Sequence, residues 1–190
     1  MKTMFIIPGF RESITEGTYK NLKKFFESKN YLVKQVPISW DYKTMSDYIR
    51  QFEDFYAKNK SESNHVLGFS YGAVVAFSSA EKLGIKKLYL CSLSPDFVED
   101  VAGMQDWIKK YIGIRRLEDC LTRSGREIAK KLNIPTIIFY GEKEAAEFPQ
   151  ILTRTLETKK LAKNVRVVEV KEAPHDISHP AYRKAIEEVF

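Results

Sequence analysis

Ser70 sits in Gly68-Phe69-Ser70-Tyr71-Gly72, a spacing that could turn a serine into a nucleophile. A free hydroxyl attacks poorly. It must be lifted out of the chain on a sharp turn, where a base can take its proton and backbone N–H groups can meet the oxyanion that follows. Glycines two residues either side permit that turn: Gly68 leaves room beside the preceding strand, and Gly72 lets the next helix pack closely. The surroundings agree with the motif. His65, Val66 and Leu67 read as a short strand before the turn, and Ala73 to Leu83 as an apolar helix that stops at Gly84. The plainer alternative makes Ser70 only the cap of a buried helix.

A serine of this kind needs a base, and the chain offers three histidines. His65 lies five residues before Ser70 on the same strand, which at ~3.3 Å per residue puts it far down the sheet. His175 follows the apolar run Val165 to Val170 after a short loop, so its imidazole arrives at the edge where the Ser70 turn also emerges. His179 precedes Pro180 and reads instead as a helix start. His175 and His179 also have a spacing that could hold a metal, but spacing marks no third ligand.

The elements that must position these groups alternate regularly. Strands are expected at Thr3 to Ile7, Leu32 to Ile38, Val66 to Phe69, Lys87 to Leu93, Thr136 to Tyr140 and Val165 to Val170. Helices are expected at Thr18 to Ser28, Met45 to Lys58, Ala73 to Leu83, around Gln150 to Ala162, and from Ala181, with Pro8 to Glu16 a loop and Val98 to Leu132 irregularly helical. Six strands with intervening helices imply an α/β, three-layer sandwich: a mostly parallel six-stranded sheet covered on both faces. Ligands of such sheets bind at the carboxyl ends of the strands.

Taken together, Ile6-Ile7-Pro8-Gly9-Phe10 after the first strand, Gly68-Phe69-Ser70-Tyr71-Gly72, Ile134-Pro135 through Gly141-Glu142-Lys143-Glu144, and Pro174-His175-Asp176 resemble the marks of a small serine hydrolase of the α/β-hydrolase fold. The resemblance runs along nearly the whole chain, and implies a minimal version without the two N-terminal edge strands, similar in size to the hydrolases resembling retinoblastoma-binding protein 9. It implies that the acid partner of His175 is the residue three after Gly141, here Glu144 where an aspartate is usual. Asp96, after the Lys87 to Leu93 strand, is the alternative acid, with Asp176 and Glu147 behind it. The oxyanion donors implied are the backbone N–H groups of Tyr71 and Phe10. No metal and no organic cofactor is implied.

Residues 98–132 are then a short helical cap-like insertion within one domain spanning 1–190. Val101, Met104, Trp107, Ile108, Tyr111 and Ile112 make one apolar helical face, with Lys109, Lys110, Arg115 and Arg116 outward, so a shallow and fairly open acyl site is expected.

The composition of 44% hydrophobic and 29% charged residues is that of an ordinary soluble globular chain. The 31 Lys and Arg against 25 Asp and Glu are interleaved, not gathered in a stripe, which argues against nucleic-acid binding and for a mild preference for anions. Cys91 and Cys120 have neither a disulfide framework nor metal spacing and read as core thiols. The apolar run before Pro8-Gly9 is too short for a signal-peptide core, and no stretch is long enough to span a membrane, so a cytoplasmic location is expected. The sequence points to cleavage of a small or medium acyl ester, with thioester or amide as variants and a small-molecule acyl substrate as partner. A binding or scaffolding protein that keeps the hydrolase fold is the rival reading. Oligomeric state is left open.

Overall fold

A computed structural model of the chain describes residues 2–15 and 17–190; Met1, and Glu16 at the end of the expected first loop, lie outside the described residues. The strands are β1 (Lys2–Ile7), β2 (Tyr31–Gln35), β3 (Ser63–Phe69), β4 (Lys87–Cys91), β5 (Thr136–Gly141) and β6 (Val165–Val170). The helices are α1 (Gly17–Ser28), α2 (Met45–Asn59), α3 (Tyr71–Ser79), α4 (Val98–Val101), α5 (Asp106–Ile112), α6 (Ile114–Cys120), α7 (Gly125–Lys131), α8 (Glu142–Glu147), α9 (Pro149–Leu161) and α10 (Pro180–Glu187). The strands form one sheet in the order β2-β1-β3-β4-β5-β6, and every neighbouring pair is parallel.

Alternating side chains feed two cores. Phe5, Ile7, Val66, Leu88, Leu90 and Ile138 pack on one face against α2, α3 and α7, while Met4, Ile6, Leu67, Tyr89 and Phe139 pack on the other against α1 and α10. The β2 ladder stops earlier than expected. The Val36 N–H still reaches the Ile6 carbonyl at 2.9 Å, but Pro37 has no N–H to extend the pairing.

Chain order reverses direction between β1 and β3, since β2 flanks β1 on one side and β3 on the other. That break in winding opens a crevice at the carboxyl ends of the two strands. Phe10 follows β1 and Ser70 follows β3, so both stand at this crevice.

Candidate active site

Ser70 is the sharp turn between β3 and α3. Its backbone adopts φ 54° and ψ −118°, a conformation L side chains rarely occupy, and its N–H donates to the Cys91 carbonyl at 2.9 Å. The flanking glycines are required by contact. A Cβ on Gly68 would lie 2.2 Å from the Gly72 carbonyl oxygen, and one on Gly72 would lie 2.4 Å from the carbonyl oxygens of both Ile7 and Pro8. The helix can therefore start hard against β1 only if both positions lack a side chain.

His175 lies in the loop between β6 and α10, with its ring tilted over Phe69 at 5.0 Å between centroids. Its Nε2 is 3.0 Å from Ser70 Oγ, and its Nδ1 bonds Glu144 Oε1. With Nδ1–H donating to the carboxylate, Nε2 is left free to accept the serine proton. Ser94 Oγ lies 3.1 Å from Ser70 Oγ, and because the Ser70 hydroxyl faces His175, Ser94 supplies the proton of that bond.

Glu144 comes from α8, and no part of it is exposed. Its Oε2 accepts from the Gly141 N–H at 2.8 Å and from Ser92 Oγ at 2.9 Å, with the Tyr182 hydroxyl at 3.4 Å. The first of these bonds is a helix-capping interaction, in which the third residue of the helix reaches back to the backbone before it. Ser92, itself at φ 54°, turns β4 toward the same carboxylate. The buried charge thus has donors on both oxygens, the condition under which burial of a carboxylate is tolerable. Burial, followed by the Glu144 charge, pushes the Tyr182 hydroxyl and the Cys91 thiol upward in pKa, so both stay neutral beside it.

Tyr71 is the first residue of α3, so its N–H has no acceptor within the helix. Phe10 packs its ring on Tyr71 at 5.5 Å, whereas the neighbouring Gly9 N–H is already taken by Glu12 Oε2 at 2.7 Å and the Tyr19 hydroxyl at 3.0 Å. Beside Ser70 lies a cavity of about 210 Å³, with Ser94, His175 and Phe148 at one part of its wall and Met104, Ile108, Ile112 and Ile151 making it apolar.

The same arrangement of sheet and helices occurs in solved proteins. The alpha/beta hydrolase domain-containing protein 10 from mouse superposes with a TM-score of 0.78 at 13% identity, covering 98% of this chain and 87% of that one. The esterase Est1E from Butyrivibrio proteoclasticus with ferulic acid bound gives 0.75 at 14% identity, covering 100% and 90%. MenH from S. aureus gives 0.69 at 16% identity, covering 99% and 91%. The chain has the α/β-hydrolase fold. No family model and no curated protein sequence matches it.

Within the hydrolase fold the sequence expectations fare unevenly. Ser70, His175 and Glu144 come together as described. Asp96 does not reach His175. Its carboxylate accepts from Arg123 Nη2 at 3.1 Å and from Cys120 Sγ at 3.0 Å, and burial, partly offset by Arg123, raises its pKa to about 6. His65 bonds the Tyr31 hydroxyl at 3.1 Å, and His179 precedes α10, neither being bonded to Ser70. Asp176 caps the Ser178 N–H at 2.7 Å. Both cysteines are buried and unbridged.

Two expectations are corrected. The stripe from Val101 to Ile112 is not one face, because α4 ends at Val101 and the chain restarts at Asp106. Met104, Ile108 and Ile112 line the cavity, while Trp107 and Tyr111, about one residue's rotation away, are 60% and 72% exposed. Arg116 does not point outward either; its guanidinium lies 5.1 Å from the Phe10 centroid and donates to the Lys43 carbonyl at 3.0 Å. The roles of Ser92, Ser94 and Tyr182 had no local signal, since each acts on a group at least 24 residues away. Among the described residues, no helix is long and apolar enough to cross a membrane.

Proposed function

We infer that the chain is a serine hydrolase that cleaves a small or medium acyl ester through an acyl-enzyme on Ser70. The reading is carried by one observation: a serine hydroxyl 3.0 Å from an imidazole whose other nitrogen is bonded to a fully buried carboxylate. Ser70 Oγ attacks the ester carbonyl as His175 Nε2 takes its proton. The imidazolium that forms is stabilised by Glu144, which holds the ring in the required tautomer and does not itself take the proton. The Tyr71 and Phe10 N–H groups receive the oxyanion, each such donor being worth roughly 3 to 4 kcal/mol. His175 then returns the proton to the departing alkoxide, and water repeats the sequence to free the acid.

The apolar wall of Met104, Ile108, Ile112 and Ile151 supports an acyl chain in the cavity, with residues 98–132 acting as its short cap. A thioester or small amide fits the same chemistry. The compact build, similar to the hydrolases resembling retinoblastoma-binding protein 9, and a reducing cytoplasmic setting for two free buried thiols belong to the same reading. A fluorophosphonate probe tests it. Wild-type protein should be labelled and Ser70→Ala should not; folded wild-type protein that takes no label would favour a binding protein on the same fold. Esters of p-nitrophenol with rising chain length then measure the acyl preference.

A further inference from the structure

A second cavity, about 560 Å³, adjoins the first across Ile112 and is unlike it in charge. Arg11, Lys43, Arg115 and Arg116 line it, against Asp41 as the one carboxylate of its wall. Arg11 and Arg116 both stack on Phe10, each 5.1 Å from the ring centroid, which ties the cavity to the loop proposed to hold the oxyanion.

Arg116 is the unusual member. The other two deeply placed arginines are neutralised locally: Arg123 by Asp96 and Asp119, and Arg154 by Asp100 and Glu157. Arg116 is half-buried, yet among the described residues no carboxylate lies within 4.0 Å of it. It is held only by neutral acceptors, the Lys43 carbonyl at 3.0 Å, the Tyr48 hydroxyl at 3.3 Å and the Trp40 carbonyl at 3.5 Å. These engage Nε and Nη2 and leave Nη1 over. Lys43 likewise has no carboxylate partner among the described residues. Arg11 is braced through Nε and Nη2 by Asp41 at 3.1 and 2.7 Å, and Arg115 is anchored to the Tyr42 carbonyl at 3.2 Å with Asp47 Oδ2 3.8 Å away. A partly desolvated cation without a counter-ion is unfavourable unless an anion completes it, and preset guanidinium groups suit an oxyanion with several acceptor oxygens.

We propose that this cavity binds a phosphate group carried on the arm of the substrate that does not enter the apolar cavity. The inference rests on the reading of Ser70 as nucleophile and adds the substrate class: an ester, apolar at one end and phosphorylated at the other. Arg11 and Arg115 have carboxylate partners in Asp41 and Asp47, but Arg116 and Lys43 have none among the described residues, and this surplus of positive charge favours a dianionic phosphate over a single carboxylate.

Two measurements test it. In the first, phenyl butyrate and 4-(butyryloxy)phenyl phosphate are compared by kcat/KM. The phosphorylated ester should be preferred by about tenfold or more through KM, as expected for charge-assisted hydrogen bonds, and the preference should shrink at high salt. Arg116→Gln should remove most of that preference, and the exposed Arg115→Gln part of it, so the test survives if the first variant fails to fold. In the second, phenyl phosphate is titrated calorimetrically into Ser70→Ala, which needs no turnover. Equal kcat/KM for the two esters, or a preference untouched by both variants, overturns the proposal. Turnover of neither ester together with phenyl phosphate binding to Ser70→Ala that weakens at high salt and in an added Arg115→Gln would remove the hydrolase reading and leave the phosphate site standing.

Discussion

Glu144→Gln is the change that separates the chemistry from the packing most cleanly. The amide is isosteric with the carboxylate, but its two ends are no longer equivalent. Oε2 faces the Gly141 N–H at 2.8 Å and Ser92 Oγ at 2.9 Å, so the amide carbonyl must take that side to keep the backbone donor satisfied. Its NH2 is then turned toward His175 Nδ1. Facing a donor, Nδ1 becomes an acceptor, and the ring proton moves to Nε2, 3.0 Å from Ser70 Oγ. The imidazole can no longer accept the serine proton, and the imidazolium has lost its counter-charge. We expect kcat on a p-nitrophenyl ester to fall by about 10⁴, equivalent to about 5.5 kcal/mol of transition-state stabilisation. Thermal unfolding should change little, because the bonds on the Oε2 side survive. Asp96→Asn should leave turnover within about an order of magnitude of wild type, since its partners are Arg123 and Cys120. A loss below tenfold in Glu144→Gln, or an equal loss in Asp96→Asn, would refute this assignment.

Other outcomes follow from burial and shape. Asp96 has its pKa raised to about 6, so the folded chain holds more protons than the unfolded one between roughly pH 4 and 6, and stability from this group falls as pH rises through that window. His65 is lowered to about 4 by burial, then by Lys87 and Lys2, so its contribution falls as pH drops from about 6.5 to 4. The two slopes oppose each other. Relative to wild type, urea midpoints across this range should rise more steeply with pH in Asp96→Asn and less steeply in His65→Gln, and slopes unchanged from wild type would contradict the assignment. Gly72→Ala should reduce stability by about 3 kcal/mol in denaturant titrations, because its Cβ meets two carbonyl oxygens at 2.4 Å that belong to β1 and the turn after it. Ile108→Trp, filling the apolar cavity, should shift the optimum of a p-nitrophenyl ester series to shorter chains; an unchanged optimum would move the acyl site elsewhere.

What the sequence made legible was whatever local pattern controls. Apolar runs gave all six strands, and Gly68 and Gly72 gave the turn, because sterics at a sharp corner admit few residues. His175 could be singled out because it follows a strand by a short loop, whereas His65 lies far down the sheet and His179 opens a helix before Pro180. Glu144 needed the resemblance, since a carboxylate on a surface-like Glu-Lys-Glu run carries no sign of being buried. The sites of Ser92 and Tyr182 were invisible, because their partner is brought from 52 and 38 residues away by the order of the strands. The irregularly helical character of residues 98–132 was legible, but the single apolar face expected from Val101 to Ile112 was not, because α4 ends and α5 restarts within it and a stripe drawn through that break has no physical meaning. Arg116, expected outward from that face, belongs to the separate helix α6 that starts at Ile114 and turns inward to Phe10.

Tyr182 has one further implication. Its hydroxyl joins the closing helix to Ser92 at 2.5 Å and lies 3.4 Å from Glu144, so the last stretch of chain is tethered to the carboxylate that orients His175. A short helix packed on the rim of a sheet can open locally at a lower free energy than the strands it covers. Each such excursion would release the tether while the central strands stay paired, so mild heating or low denaturant should extinguish catalysis before the far-ultraviolet circular dichroism changes. The helix α10 would then act as a fuse for the site.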